Sequence, residues 1–223
     1  MTLFLSRIRL SRRPSAQALS SLLSPNAPGP RRSAHHKLLW AAFSDDPDRR
    51  RDFLWREDRE GVFLVLSRRP PQPMDLFEPH DVQDFAPVLA SGARLDFALR
   101  ANATRMKRGG ERVDVVMDAL HDLPKGTRAP ERMAAASREG KAWLERQGAA
   151  TGFAVVAAEV GDYSTEALPG YRGPRKGQPQ FGILDLSGRI EVTDPDAFLA
   201  GLARGFGRAK AFGCGLMLIR RAS

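Results

Sequence analysis

The chain has 223 residues, 42% of them hydrophobic, which supports a packed core and excludes a disordered chain. Lys and Arg total 35 against 26 Asp and Glu, a formal charge of +9, so a polyanionic partner is expected, because each cation near a phosphate releases condensed counterion. The single cysteine, Cys214, excludes an intramolecular disulfide and a cysteine-based zinc site. Arg or Asp interrupts every apolar run before it reaches the roughly 18 residues of a membrane helix, and Arg7 and Arg9 come too early for the apolar region of a signal peptide. A soluble, cytoplasmic protein that does not bind membranes is expected.

Residues 3–10 read as an opening strand, with Phe4, Ser6, Ile8 and Leu10 on one face at period two. Residues 15–23 have helical spacing through Ala16, Leu19, Leu22 and Leu23, and Pro25, Pro28, Gly29 and Pro30 then read as a loop. Ser33 is positioned to cap a second helix carrying His35, His36, Leu38, Leu39, Trp40 and Phe43, which Asp45-Asp46-Pro47 would end. Residues 52–56 and 62–66, separated by charges and Gly61, read as a hairpin, and Pro70, Pro71 and Pro73 mark a rigid connection.

A second series opens at Ala93, alternating through Leu95, Phe97 and Leu99. Residues 131–147 form a helix with Met133, Ala136, Gly140, Trp143 and Leu144 on one side. Residues 152–160 and 182–192 are strand-like, the latter turning at Ser187-Gly188. Residues 195–204 read as a short helix opened by Pro195, and residues 215–219 as a last strand. The pattern is α+β: two tandem ferredoxin-like (βαββαβ) domains, over residues 1–90 and 91–223.

The chain has four histidines, of which His35 and His36 lie in a predicted regular element. In a helix capped by Ser33, His36 falls in the first turn, where free N–H groups disfavour added positive charge and keep the imidazole able to accept a proton. It also aligns with the apolar Leu39, Trp40 and Phe43, as a hydrogen-bonded structural histidine would. His35 lies about 100° round the helix and is expected to face solvent.

No metal site is expected: there is no H-E-x-x-H, and the carboxylates are scattered. No G-x-S-x-G elbow supports a serine hydrolase, and the glycine-rich run after Gly205 lacks the G-K-[ST] of a nucleotide loop, so no cofactor is expected. General acid–base chemistry by histidine remains, and RNA supplies its own nucleophile in the 2′-hydroxyl. Three glycine-containing basic stretches could track phosphates: Arg105, Lys107, Arg108 and Arg112; Arg172, Arg175 and Lys176; and the run holding Arg208 and Lys210.

Three segments taken together carry a family likeness: His36-Lys37-Leu38-Leu39-Trp40 with Arg51-Asp52-Phe53-Leu54, Leu99-Arg100-Ala101-Asn102, and the terminal block from Gly205 to Leu216. In that order they resemble CasE, the repeat-RNA endoribonuclease of type I-E CRISPR Cascade complexes, and Lys141-Ala142-Trp143-Leu144 resembles its central helix. The resemblance implies two ferredoxin-like domains and metal-independent cleavage at the 3′ base of a CRISPR repeat hairpin. In such cleavage the 2′-hydroxyl attacks the adjacent phosphate, and the enzyme then stays on the product as a partner of other Cascade subunits. His36 matches the family's catalytic histidine, four residues before the tryptophan. Lys37 is the candidate for phosphate stabilisation, and Arg172, Arg175 and Lys176 correspond to a basic loop near the hairpin in relatives.

This chain has Ser33 where some members place a tyrosine, and Ala103 where a proline usually follows Leu-Arg-Ala-Asn. A monomer is expected when the chain is free. The alternatives are a non-catalytic hairpin-binding subunit of a CRISPR ribonucleoprotein and a general basic RNA-binding protein.

Overall fold

The computed structural model describes residues 2–26, 28–44, 51–168 and 179–222. The chain forms two compact units. The first comprises Met1–Pro87, Ala167–Pro179 and Lys210–Gly213; the second comprises Val88–Glu166, Gln180–Ala209 and Cys214–Ser223. Part of the terminal glycine block therefore belongs to the first unit.

In the first unit, β1 (Phe4–Arg9) leads through α1 (Pro14–Ala18), α2 (Ser20–Leu23) and α3 (Pro28–Ala41) to β2 (Phe53–Arg59), β3 (Val62–Ser67) and β4 (Asp81–Asp84). The sheet order is β2-β3-β1-β4, with β1 antiparallel to both of its neighbours. Helix α3 starts at Pro28 rather than at Ser33. Pro28 and Pro30 sit in its first turn, where the missing N–H groups would have had no intrahelical partner, so prolines expected to form a loop open a helix instead. Leu38, Leu39, Ala42 and Phe43 pack with Ile8, Phe53, Trp55, Phe63, Val65 and Phe77 to form the core.

The connection from β3 to β4 contains no helix. Pro70, Pro71, Pro73 and Pro79 deny it a run of backbone donors, so this ferredoxin-like sheet has a coil for its second crossover.

The second unit opens with β5 (Arg94–Ala101), whose Leu95, Phe97, Leu99 and Ala101 are buried in strict alternation. A small hairpin follows, β6 (Thr104–Met106) with β7 (Arg112–Asp114), and then α4 (Val115–His121). None of these three elements was expected. Helix α5 (Arg128–Thr151) returns to β8 (Phe153–Ala167) and β9 (Gln180–Val192), and α6 (Pro195–Arg204) leads to β10 (Met217–Arg221).

The sheet order, β10-β5-β9-β8, repeats that of the first unit read from the other end. Gly140 on α5 lets the helix settle on the sheet: a Cβ there would stand 3.1 Å from Val160 and 3.3 Å from Leu184. The expected turn at Ser187-Gly188 is absent. β9 runs straight through, with Ser187 paired to Ala98 and Gly188 to Phe97. A Cβ on Gly188 would stand 2.1 Å from the carbonyl oxygen of Ala157, so this glycine serves close approach of strands rather than chain reversal.

Candidate functional site

His36 lies in the middle of α3, eight residues from its start, so the helix N-terminus does not set its charge. The ring is half-buried, 6.0 Å from Trp40 and 6.3 Å from Phe53 between centroids. Its Nδ1 is enclosed and has no hydrogen-bond partner among the described residues. Burial, and then the positive charge of Arg51, push its pKa below the ordinary 6.5. Both effects favour the neutral imidazole, and they act through desolvation and a nearby cation rather than through the helix dipole.

His35, expected to face solvent, is fully buried. The core stripe of α3 runs His35, Leu38, Leu39, Ala42, Phe43, at the i, i+3, i+4, i+7, i+8 spacing of a packed helix face. The His35 ring meets Phe63 edge-on at 4.8 Å. Glu57 Oε2, 3.6 Å from its Nδ1, favours the imidazolium, but burial and the charges of Arg31 and Arg32 outweigh it and depress the pKa to about 4. As acid is added, the unfolded chain therefore takes up this proton before the folded one does. The contribution of the neutral ring to stability is complete above pH 6.5 and is lost as pH falls towards about 4. Urea denaturation at about pH 7 and about pH 5 should show a larger loss for wild type than for His35→Leu; equal losses would contradict this account.

Lys37 is exposed, and with Ser33, Ala34 and Ala41 it lines a groove against Leu22, Leu23 and Met74, on another flank of α3 from His36. Ser33 is half-buried one turn before His36.

Arg105, Lys107, Arg108 and Arg112 all lie on the β6–β7 hairpin. Two of them are internally engaged. Arg105 Nε donates to Asp118 Oδ2 at 2.9 Å, and Lys107 pairs with the same carboxylate, which both cations hold well below the usual aspartate pKa. Arg105 also lies 3.7 Å from Glu139. Arg108 and Arg112 are exposed, and no carboxylate among the described residues pairs with them. Arg172, Arg175 and Lys176 lie outside the described residues.

Arg208 is exposed, in the second unit. Lys210 opens a short 3-10 turn, Lys210–Phe212, in the first. Arg32 Nη1 on α3 donates to the Phe212 carbonyl at 3.2 Å and ties that turn to the helix carrying His36.

One set of residues that the sequence reading left without roles fixes the basic hairpin and the Arg208 loop to the same point. The Asn102 carbonyl accepts the Arg208 N–H at 3.0 Å, and its amide nitrogen donates to the Gly182 carbonyl at 2.7 Å and to Asp114 Oδ2 at 3.4 Å. Asp114 caps α4, accepting from Val116 and Met117 N–H groups, both at 3.0 Å, and from the Tyr163 hydroxyl at 3.0 Å. Burial raises the Asp114 pKa despite these donors, and burial together with the Asp114 charge raises that of Tyr163. On β5, Arg100 makes a bidentate pair with Asp185 across the sheet, both contacts at 2.8 Å.

Among the described residues, no three His, Cys, Asp or Glu side chains gather as an ion site, and no helix is long and apolar enough to cross a membrane.

A family model described as CRISPR associated protein matches residues 3–221. The CRISPR-associated endoribonuclease Cse3 of Thermus thermophilus is 33% identical over 174 residues, covering 74% of this chain and 67% of that protein. A structure of CRISPR endoribonuclease Cse3 bound to a 19-nucleotide RNA superposes with a TM-score of 0.69 at 25% identity, over 99% of this chain and 100% of that one. Cas6e from Escherichia coli K-12 shares the fold, with a TM-score of 0.64 at 20% identity, over 98% of this chain and 100% of the other. From the whole-length match and the Cse3 relative, the chain belongs to the CRISPR-associated protein family, as a CasE member.

Proposed function

We propose that this chain is a metal-independent endoribonuclease that binds the CRISPR repeat hairpin and cuts at its 3′ base, then remains on the product as a Cascade subunit in the cytoplasm. The observation that carries the reading is the half-buried His36 at the family's histidine position, four residues before Trp40, where burial and then the Arg51 charge favour the neutral imidazole. With Nδ1 enclosed, Nε2 takes the proton of the 2′-hydroxyl. The 2′-oxygen bonds to the adjacent phosphorus and the P–O5′ bond breaks. The 5′-oxygen then takes up a proton, leaving a 2′,3′-cyclic phosphate and a 5′-hydroxyl.

Arg108, Arg112 and Arg208 serve as phosphate contacts, whereas Arg105 and Lys107 shape the hairpin through Asp118. The test is hairpin affinity over a salt series. Arg108→Ala and Arg112→Ala should each weaken binding and flatten the slope of log K against log salt by roughly 0.7–0.9. Lys107→Ala should change that slope less. Equal affinity of wild type for a repeat hairpin and for unrelated RNA would instead make this a general RNA-binding protein.

A further inference from the structure

Near His36 stands a charged group for which the sequence reading found no role. Arg51 comes two residues before Phe53, at the start of β2. The Phe53 ring that follows it meets His36, and the Arg51 charge lies near enough to act on that imidazole. Arg51 Nη1 is enclosed and has no hydrogen-bond partner among the described residues, although the residue as a whole is only half-buried. The adjacent carboxylate does not pair with it: Asp52 Oδ2 accepts from Arg69 Nε at 2.9 Å, its Oδ1 has no hydrogen-bond partner among the described residues, and Arg69 also donates to the Phe43 carbonyl. No described carboxylate pairs with Arg51, and burial lowers its pKa from the ordinary arginine value. A guanidinium that is partly desolvated, half-exposed and without a carboxylate partner among the described residues gains one when an anion docks.

We propose that Arg51 is the phosphate clamp of the cleavage centre, its guanidinium donating to a non-bridging oxygen of the scissile phosphodiester while His36 takes the 2′-hydroxyl proton. The inference rests on the reading of His36 as the base. Charge builds on the non-bridging oxygens as the 2′-oxygen adds and before the P–O5′ bond breaks, so a fixed donor there acts more strongly on the transition state than on the bound substrate. Arg51 keeps its proton throughout. In the free enzyme its charge adds to burial in lowering the His36 pKa.

The experiment compares wild type, Arg51→Ala and Arg51→Lys as full chains. It measures single-turnover cleavage of the repeat hairpin across pH and affinity for the same hairpin with a 2′-deoxy scissile nucleotide. Arg51→Ala should cut roughly 10²–10³-fold more slowly at saturating protein, with affinity changed less than about threefold. The acid limb of its pH–rate profile should move to higher pH as the His36 pKa recovers, and added guanidinium ion should restore part of the rate. Arg51→Lys should fall between the two. Unchanged cleavage by Arg51→Ala in the presence of an active wild type overturns the clamp alone. So does a loss that tracks the melting temperature and responds neither to guanidinium nor through the pH profile. A wild type that binds the hairpin and never cuts it overturns the clamp together with the functional reading beneath it.

Discussion

His36→Ala should lose repeat cleavage by about 10²–10⁴-fold under single-turnover conditions, the range expected when a general base is removed. Hairpin affinity should stay close to that of wild type. The cations assigned to phosphate contact in the second unit, Arg108, Arg112 and Arg208, are untouched by the change. The fold should also survive: the ring is half-buried at the edge of the aromatic set of Trp40 and Phe53, outside the His35–Leu38–Leu39 stripe that fills the core. His36→Gln, which keeps polar volume but has no titratable nitrogen, should be as inactive as alanine. Single-turnover rates for both variants, with melting curves beside them, decide the matter. A His36→Gln that cuts at the wild-type rate would reduce His36 to an ordinary helix residue.

The second large effect is expected at Gly207. Its φ of +73° lies in the left-handed region, and a Cβ there would stand 2.6 Å from the Asn102 carbonyl oxygen and 3.2 Å from the Trp143 ring. That carbonyl receives the Arg208 N–H, so alanine at 207 would push apart the joint between the terminal loop and β5. Gly207→Ala should cost roughly 2–4 kcal/mol and weaken hairpin binding as Arg208 loses its fixed position. Gly109 is the control: nothing lies within 4 Å of a Cβ built there, and Gly109→Ala in the basic hairpin should leave stability within about 0.5 kcal/mol. Urea denaturation of the two variants provides the comparison. Equal stabilities would contradict the role assigned to Gly207.

Much of this was legible in the sequence, and each departure has a local cause. Period-two alternation located β5, and Pro195 marked the start of α6, because each signal reports a geometry that does not depend on distant chain. Around α3 the signal was ambiguous. Leu39 and Phe43 belong equally to a stripe through His36 and Trp40 and to one through His35, Leu38 and Ala42, and only the packed sheet decides which faces inward. Prolines at the first turn of α3 read as a break because loop and helix N-terminus use the same residue.

His36 itself stood out through the likeness to a family, while the sources of its lowered pKa did not, since burial and then the Arg51 charge reach it through the fold rather than along the chain. Asp114 did leave a signal, an aspartate directly before the apolar Val115-Val116, as an N-cap would. Its partners, Asn102 and Tyr163, are brought in through the sheet; Asn102 stood out only within the family likeness, and Tyr163 left no signal. The pairing of Arg105 and Lys107 with Asp118 was equally hidden, so a basic run that looked wholly available holds two cations turned to internal use.

The central claim is that cutting proceeds by 2′-oxygen attack driven by His36 without a metal ion. The most direct measurement is incubation of the wild-type protein with its repeat hairpin in EDTA, beside the same hairpin carrying one 2′-deoxy nucleotide at the scissile position. The account predicts full cutting of the first, with a 2′,3′-cyclic phosphate and a 5′-hydroxyl at the new ends, and tight binding without cutting of the second. Cleavage of the deoxy hairpin, or loss of cutting in EDTA with recovery on adding back a divalent ion, would contradict it.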